Sequence, residues 1–253
     1  MFIRNEKSIK EFIQFYPVVS VIVIIHIVIW FLHTLLPIPF FEQLYDLGKG
    51  SHFGIHNGEY WRFITPIFLH AGFTHMLFNS FSLVLFGPAL EQMLGKVKFL
   101  FAYLGAGILA NIATFILNPS FGYVHVGASG AIFGLFGMYV FMVAFRKHLI
   151  DSQNAQIVMV IFIIGMIMTF IRPGINQYAH VFGFIAGFLL APIVLIKARP
   201  YSPWRNYRYR DDQEIQFNPN RWKKKRHVKK LRQNALWIII GILVVIGLIS
   251  KFL

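Results

Sequence analysis

Long apolar runs separated by short polar or Pro/Gly-containing breaks occupy residues 17–36, 67–90, 99–117, 129–145, 156–171, 178–196 and 235–253. A helix needs about 20 apolar residues to cross a hydrocarbon core about 30 Å thick, and a spanning helix satisfies its backbone hydrogen bonds internally. The pattern therefore predicts an all-α fold, a polytopic membrane helix bundle. Its expected parts are a six-helix core over residues 1–197, a basic linker over 198–234, and a seventh transmembrane helix over 235–253. The first apolar run follows a basic start but is long for a signal peptide, and no small-residue cleavage site follows it, so it is expected to stay as a helix. No repeat of solenoid length is evident.

Composition agrees with this pattern: 57% of residues are hydrophobic and only 13% charged, against about a quarter charged in soluble domains. The charges also orient the bundle, because Lys and Arg collect in short cytoplasmic loops. With the N-terminus inside, all but Lys49, Arg62, Arg172 and Lys251 of the 24 basic residues face the cytoplasm. The expectation is an integral multi-pass protein of the cell membrane with a cytoplasmic N-terminus. The net charge of +14 and the tract from Arg221 to Arg232 could suggest nucleic acid. A basic run just before a membrane helix is better matched to anionic lipid headgroups, each charge contributing about 1 kcal/mol, and no nucleic-acid partner is expected. The chain has no cysteine, which excludes disulfides and thiolate metal sites.

In that topology the second, fourth and sixth apolar runs start at the outer face, and each start carries polar residues. The second has His70, His75 and Asn79, the fourth opens on Gly127-Ala128-Ser129-Gly130, and the sixth on Ala179-His180. Polar groups within a membrane are costly and usually face a protein interior or a water-filled cavity, so a polar layer shared by three helices points to a functional site. Small residues four apart allow close helix approach. Gly130 and Gly134 form one such face, and Ala179, Gly183 and Gly187 another, which would bring Ser129 and His180 together. A serine hydroxyl becomes nucleophilic when a neighbouring base takes its proton, and neutral imidazole serves as that base. His75 and Asn79, one turn apart, and the free N–H groups at the start of the fourth helix are candidates for holding an oxyanion. No Asp or Glu lies in the apolar part of these helices, so a Ser/His dyad is expected rather than a triad. His70 and His75 supply two metal donors, but no third ligand is apparent; neither a metal nor a cofactor is expected.

Taken together, the stretch GEYWRFITPIFLHAGFTHMLFN (58–79), the GASG around Ser129 and AHVFGFIAG (179–187) resemble the rhomboid family of intramembrane serine proteases, over about residues 15–197. The resemblance implies Ser129 as nucleophile, His180 as base, and His75 and Asn79 as oxyanion stabilisers. It implies structural support from Gly127, Gly183 and Gly187, and from Trp61 and Arg62 in an outer loop where Glu59 is placed to pair with Arg62. Phe133 stands where many members have a tyrosine packed on the histidine, so stacking is retained and a hydroxyl lost. The remaining histidines are read as structural, with His70 kept outside the catalytic set. Substrates implied are transmembrane segments of single-pass proteins, cut near the outer membrane face. Two other readings of the same residues are a polar-pathway transporter, which leaves Ser129 unexplained, and a catalytically silent binder of transmembrane clients, which leaves the intact Ser129 and His180 unexplained.

Overall fold

Proline, glycine and capping side chains decide where each apolar run becomes a helix. In the computed structural model, which describes residues 6–36 and 38–206, α1 (Ile9–Phe15) starts at a Ser8 side-chain cap. Pro17 opens α2 (Pro17–Leu35) and Pro39 opens α3 (Pro39–Gly48), the helix position where a missing N–H costs nothing. After a short α4 (His52–His56) and two 3-10 turns, Tyr60–Phe63 and Thr65–Phe68, come α5 (Phe73–Leu94) and α6 (Lys96–Leu117). The last three are α7 (Ser129–Phe145), α8 (Ser152–Ile171) and α9 (Gln177–Val194). Gly95, at φ 81°, makes the reversal between α5 and α6, a left-handed conformation that glycine adopts without strain.

The six apolar runs before residue 197 are thus α2 and α5 to α9. Five of these are long and apolar enough to cross a membrane, and α7, at 17 residues, is shorter. The protein is an integral multi-pass membrane protein built as an all-α bundle. The second run does not become helical at residue 67 as hydropathy suggested. Pro66 lies in a 3-10 turn, and Leu69 and Gly72 are extended, so α5 begins only at Phe73. At α8 the Asp151 carboxylate accepts from Asn154 N at 2.9 Å and starts the helix four residues ahead of the apolar run. The predicted seventh helix and residues 207–234 of the predicted linker lie outside the described residues. The chain just after α9 is held to the core: Gln92 exchanges hydrogen bonds with the Ser202 backbone at 2.9 and 3.0 Å, and the Tyr16 and Tyr201 hydroxyls lie 3.2 Å apart.

The centre of the bundle is α7, of whose 17 residues eleven are buried. It lies between α6 and α9, and glycine permits both approaches. A Cβ on Gly130 would meet the Ala110 Cβ of α6 at 2.9 Å and the Ala179 carbonyl oxygen of α9 at 3.3 Å. By contrast α8 buries only Val158 and Thr169, and its many exposed Ile, Val and Phe side chains suit a lipid surround. At the opposite end of α5 from His75, the buried Glu91 accepts from Val18 N at 3.0 Å and Val19 N at 2.9 Å. It caps α2, where the first N–H groups have no intrahelical acceptor.

Candidate active site

Ser129 is the first residue of α7, and among the described residues no side chain caps that helix. Its leading N–H groups are therefore open, and the helix dipole makes the place favourable to negative charge. Gly127 just before it has φ 136° and donates its N–H to the Pro66 carbonyl at 2.9 Å. That turn sets Ser129 beside His75. A Cβ on Gly127 would come within 2.8 Å of His75 Cε1 and Nε2 and 3.7 Å of Ser129 Oγ, so the position has room only for glycine.

His180 occupies the first turn of α9, which begins at an Asn176 side-chain cap. Close contact between the helices brings this turn to the start of α7: Ala179 packs on Gly130, and a Cβ on Gly183 would lie 2.9 Å from the Gly130 carbonyl carbon. One turn further, a Cβ on Gly187 would sit 2.5 Å from the Gly134 carbonyl carbon. The His180 ring is buried and stacks on Phe133, with ring centroids 4.2 Å apart and planes 18° from parallel. Its Nδ1 is 2.7 Å from Thr169 Oγ1 on α8.

The other two candidates, His75 and Asn79, stand in the first two turns of α5. Asn79 is 7% exposed, and its Nδ2 is buried with no acceptor among the described residues. An unpaired buried amide donor costs about 1–3 kcal/mol, and a ligand oxygen placed there would relieve that cost. The His75 ring meets His70 edge-on at 5.1 Å, and His70 meets His26 of α2 at 4.6 Å. Among the described residues no group of three His, Asp or Glu side chains is arranged to hold a metal ion.

The outer loop beside this site is braced by Arg62. Its guanidinium is paired with Glu59 and donates to the carbonyls of Asp46 at 2.9 Å and Lys49 at 2.7 Å. Trp61 is half exposed and donates Nε1–H to the Leu47 carbonyl at 3.1 Å. A two-residue antiparallel bridge, Gly50–Ser51 with Val124–His125, ties that loop to the segment leading into Ser129. Hydropathy gave no sign of this pairing, because each strand is only two residues long.

His125 links the same segment to α6. Its Nε2 and Asn111 Oδ1 are 3.2 Å apart, while Asn111 Nδ2 donates to the Phe63 carbonyl at 2.9 Å. Burial, with a smaller contribution from His52, pushes the His125 imidazole down from the usual 6.5 to about 4. The unfolded chain therefore takes up this proton near pH 6.5, whereas the folded protein does so only near 4. Acidification favours the form that binds more protons, so stability is full above about pH 7 and falls as pH drops from 6.5 towards 4. The thermal midpoint in detergent is expected to be lower at pH 5 than at pH 7.5, and His125→Gln should shrink that difference. An undiminished difference in the variant would assign the effect to other groups.

Thr169 is the site residue that the sequence reading missed. It sits in an otherwise apolar run, and nothing in its spacing from His180 marks it.

The Rhomboid domain family model matches residues 57–197 of this chain. A Bacillus subtilis protein named "Putative rhomboid protease YdcA" is 50% identical over 191 residues, which cover 76% of this chain and 94% of that protein. Rhomboid protease GluP, also from Bacillus subtilis, is 37% identical over 150 residues, covering 59% of this chain and 29% of GluP. RHOMBOID-like protein 1 of Arabidopsis thaliana is 33% identical over 198 residues, 76% of this chain and 47% of that protein. The chain thus spans most of the first of these relatives and less than half the length of the other two.

Proposed function

The chain belongs to the rhomboid family, and from that membership we propose that it is an intramembrane serine endopeptidase using a Ser129/His180 dyad. The observation that carries the reading is the convergence of three helix starts: Ser129 on α7 and His75 on α5 both flank Gly127, and close packing of Ala179 on Gly130 brings the His180 turn of α9 to the start of α7. The His180 nitrogen not engaged by Thr169 takes the Ser129 hydroxyl proton as Oγ attacks the scissile carbonyl. Negative charge developing on the carbonyl oxygen is met by the Asn79 amide, the His75 ring and the open N–H groups of α7. One oxyanion donor of this kind is worth about 3 kcal/mol in a poorly hydrated site. The protonated imidazole then gives its proton to the leaving amine. Water, deprotonated by the same ring, releases the acyl group from Ser129.

The short central helix sets the depth of this chemistry. At 1.5 Å per residue α7 is about 25 Å long, less than the hydrocarbon thickness of about 30 Å, so at least one of its ends lies within the hydrocarbon, and this reading assigns that place to Ser129. All six helices of the core span the membrane in this reading, with the N-terminus in the cytoplasm and the dyad towards the outer face. Residues 1–197 form the protease core in this reading. Substrates are transmembrane segments of single-pass proteins that enter sideways. A helix hides its peptide bonds in internal hydrogen bonds, so preferred substrates carry Gly, Pro or other helix-weakening residues near the cut.

The test is reconstitution of the full chain in lipid vesicles with a labelled single-pass reporter. Wild type is expected to cut the reporter near its outer boundary, and Ser129→Ala is expected to leave it intact. Cleavage retained in Ser129→Ala would overturn the mechanism. Wild type that binds the reporter, never cuts it and never forms an adduct with a fluorophosphonate would make the protein a silent binder.

A further inference from the structure

One nitrogen of His180 is already committed. Nδ1 lies 2.7 Å from Thr169 Oγ1, and that hydroxyl donates its hydrogen to the Gly165 carbonyl one turn back on α8, at 2.8 Å. A hydroxyl has one hydrogen to give and two lone pairs. With its hydrogen on Gly165, Thr169 can only accept from the imidazole. The hydrogen of neutral His180 is therefore held on Nδ1, and the lone pair stands on Nε2, the nitrogen free to face Ser129. Phe133 fixes the ring plane from one face, and Thr169 fixes its rotation within that plane.

Resting on the reading of His180 as the general base, we propose that Thr169 is a positioning residue for that base, taking the orienting part a carboxylate plays in a Ser/His/Asp triad. A neutral acceptor selects the tautomer and the rotamer without adding a negative charge inside the membrane, where an unpaired charge is costly. Thr169 is fully buried and is one of two buried residues on α8. The geometry of the base consequently depends on how α8 is seated. Displacing this sparsely packed helix from α9 frees the imidazole to rotate, so α8 must lie against the core for Ser129 to be activated.

The full chain is reconstituted as wild type, Thr169→Val, Thr169→Ser and His180→Ala, and each is assayed with the transmembrane reporter and for the rate of fluorophosphonate labelling at Ser129. Val keeps the shape and removes the acceptor. Hydrogen-bond partners that orient metal-ligating histidines are worth about 10–100-fold, and on that scale Thr169→Val should lose a like factor in kcat and in labelling rate, with KM little changed. Thr169→Ser keeps the hydroxyl and should recover most of the loss. Should Val not give folded protein, Thr169→Ala removes the same acceptor and is read in the same way. Wild-type kcat without the hydroxyl, an equal loss in Ser and Val, or a change confined to KM would overturn the proposal. Cleavage by His180→Ala would instead overturn the assignment of the base on which it rests, whereas an inactive His180→Ala beside a fully active Thr169→Val overturns only the role of Thr169.

Discussion

Ser129→Ala, His180→Ala and the double variant are expected to cleave a transmembrane reporter at the same residual rate, about 10⁴-fold or more below wild type. A general base alone contributes about 10²–10⁴-fold, and a nucleophile that loses its base also loses the covalent route. Residues that act as one unit are therefore strongly non-additive. Once Ser129 is gone, His180 has no hydroxyl to deprotonate, so removing it as well costs nothing further. Asn79→Ala should behave differently: it leaves the dyad intact and removes one donor, lowering kcat by about 10²–10³-fold. The measurement is single-turnover cleavage in vesicles with enzyme in excess, which separates chemistry from product release. Single losses that multiply in the double variant would mean that the two residues act in separate steps.

That prediction uses the part of the candidate site that is legible in the sequence. Ser129, His180, His75 and Asn79 stand at the starts of apolar runs, and small residues at four-residue spacing on two of those runs signal close helix approach. The folded chain seats Gly130 on Ala179, and the Gly134 and Gly187 backbones lie almost in contact. Other features had no pattern to announce them. Thr169 bonds its own helix backbone like many membrane-helix threonines, and only its position beside His180 Nδ1 distinguishes it. Glu91 lies just past an apolar run, in sequence terms a helix-end charge, yet it caps a helix more than 70 residues away. The end of the second 3-10 turn, Ile67 and Phe68, was hidden because its apolar side chains read as the beginning of the next helix. Hydropathy locates the lipid-compatible length of a segment, while its ends are set by caps, proline and glycine.

Gly187→Ala is expected to be the most damaging single-methyl change in the bundle. A Cβ there would overlap the Gly134 carbonyl oxygen and lie 2.5 Å from its carbonyl carbon and 2.6 Å from Gly134 Cα. All three are backbone atoms, so no side chain can turn aside and α7 and α9 must separate. Overpacking usually costs about 1–3 kcal/mol, and a clash with backbone on both sides belongs at the upper end. Activity should suffer as well, because α9 carries His180 and α7 carries Ser129. A shift near 1 Å in a reacting group can cost about 10²-fold, so the cleavage rate should fall even where the variant remains folded. Gly105→Ala on α6 is the control, since its Cβ would meet only Leu190 Cδ1 at an ordinary 3.6 Å. That variant should match wild type or gain slightly, because alanine is the better helix former by about 1 kcal/mol. Thermal unfolding in detergent and vesicle cleavage, measured on both variants, check the pair. Equal stability of Gly187→Ala and Gly105→Ala would show that the two helices have slack at the crossing, and the contact that brings Ser129 to His180 would then need another source.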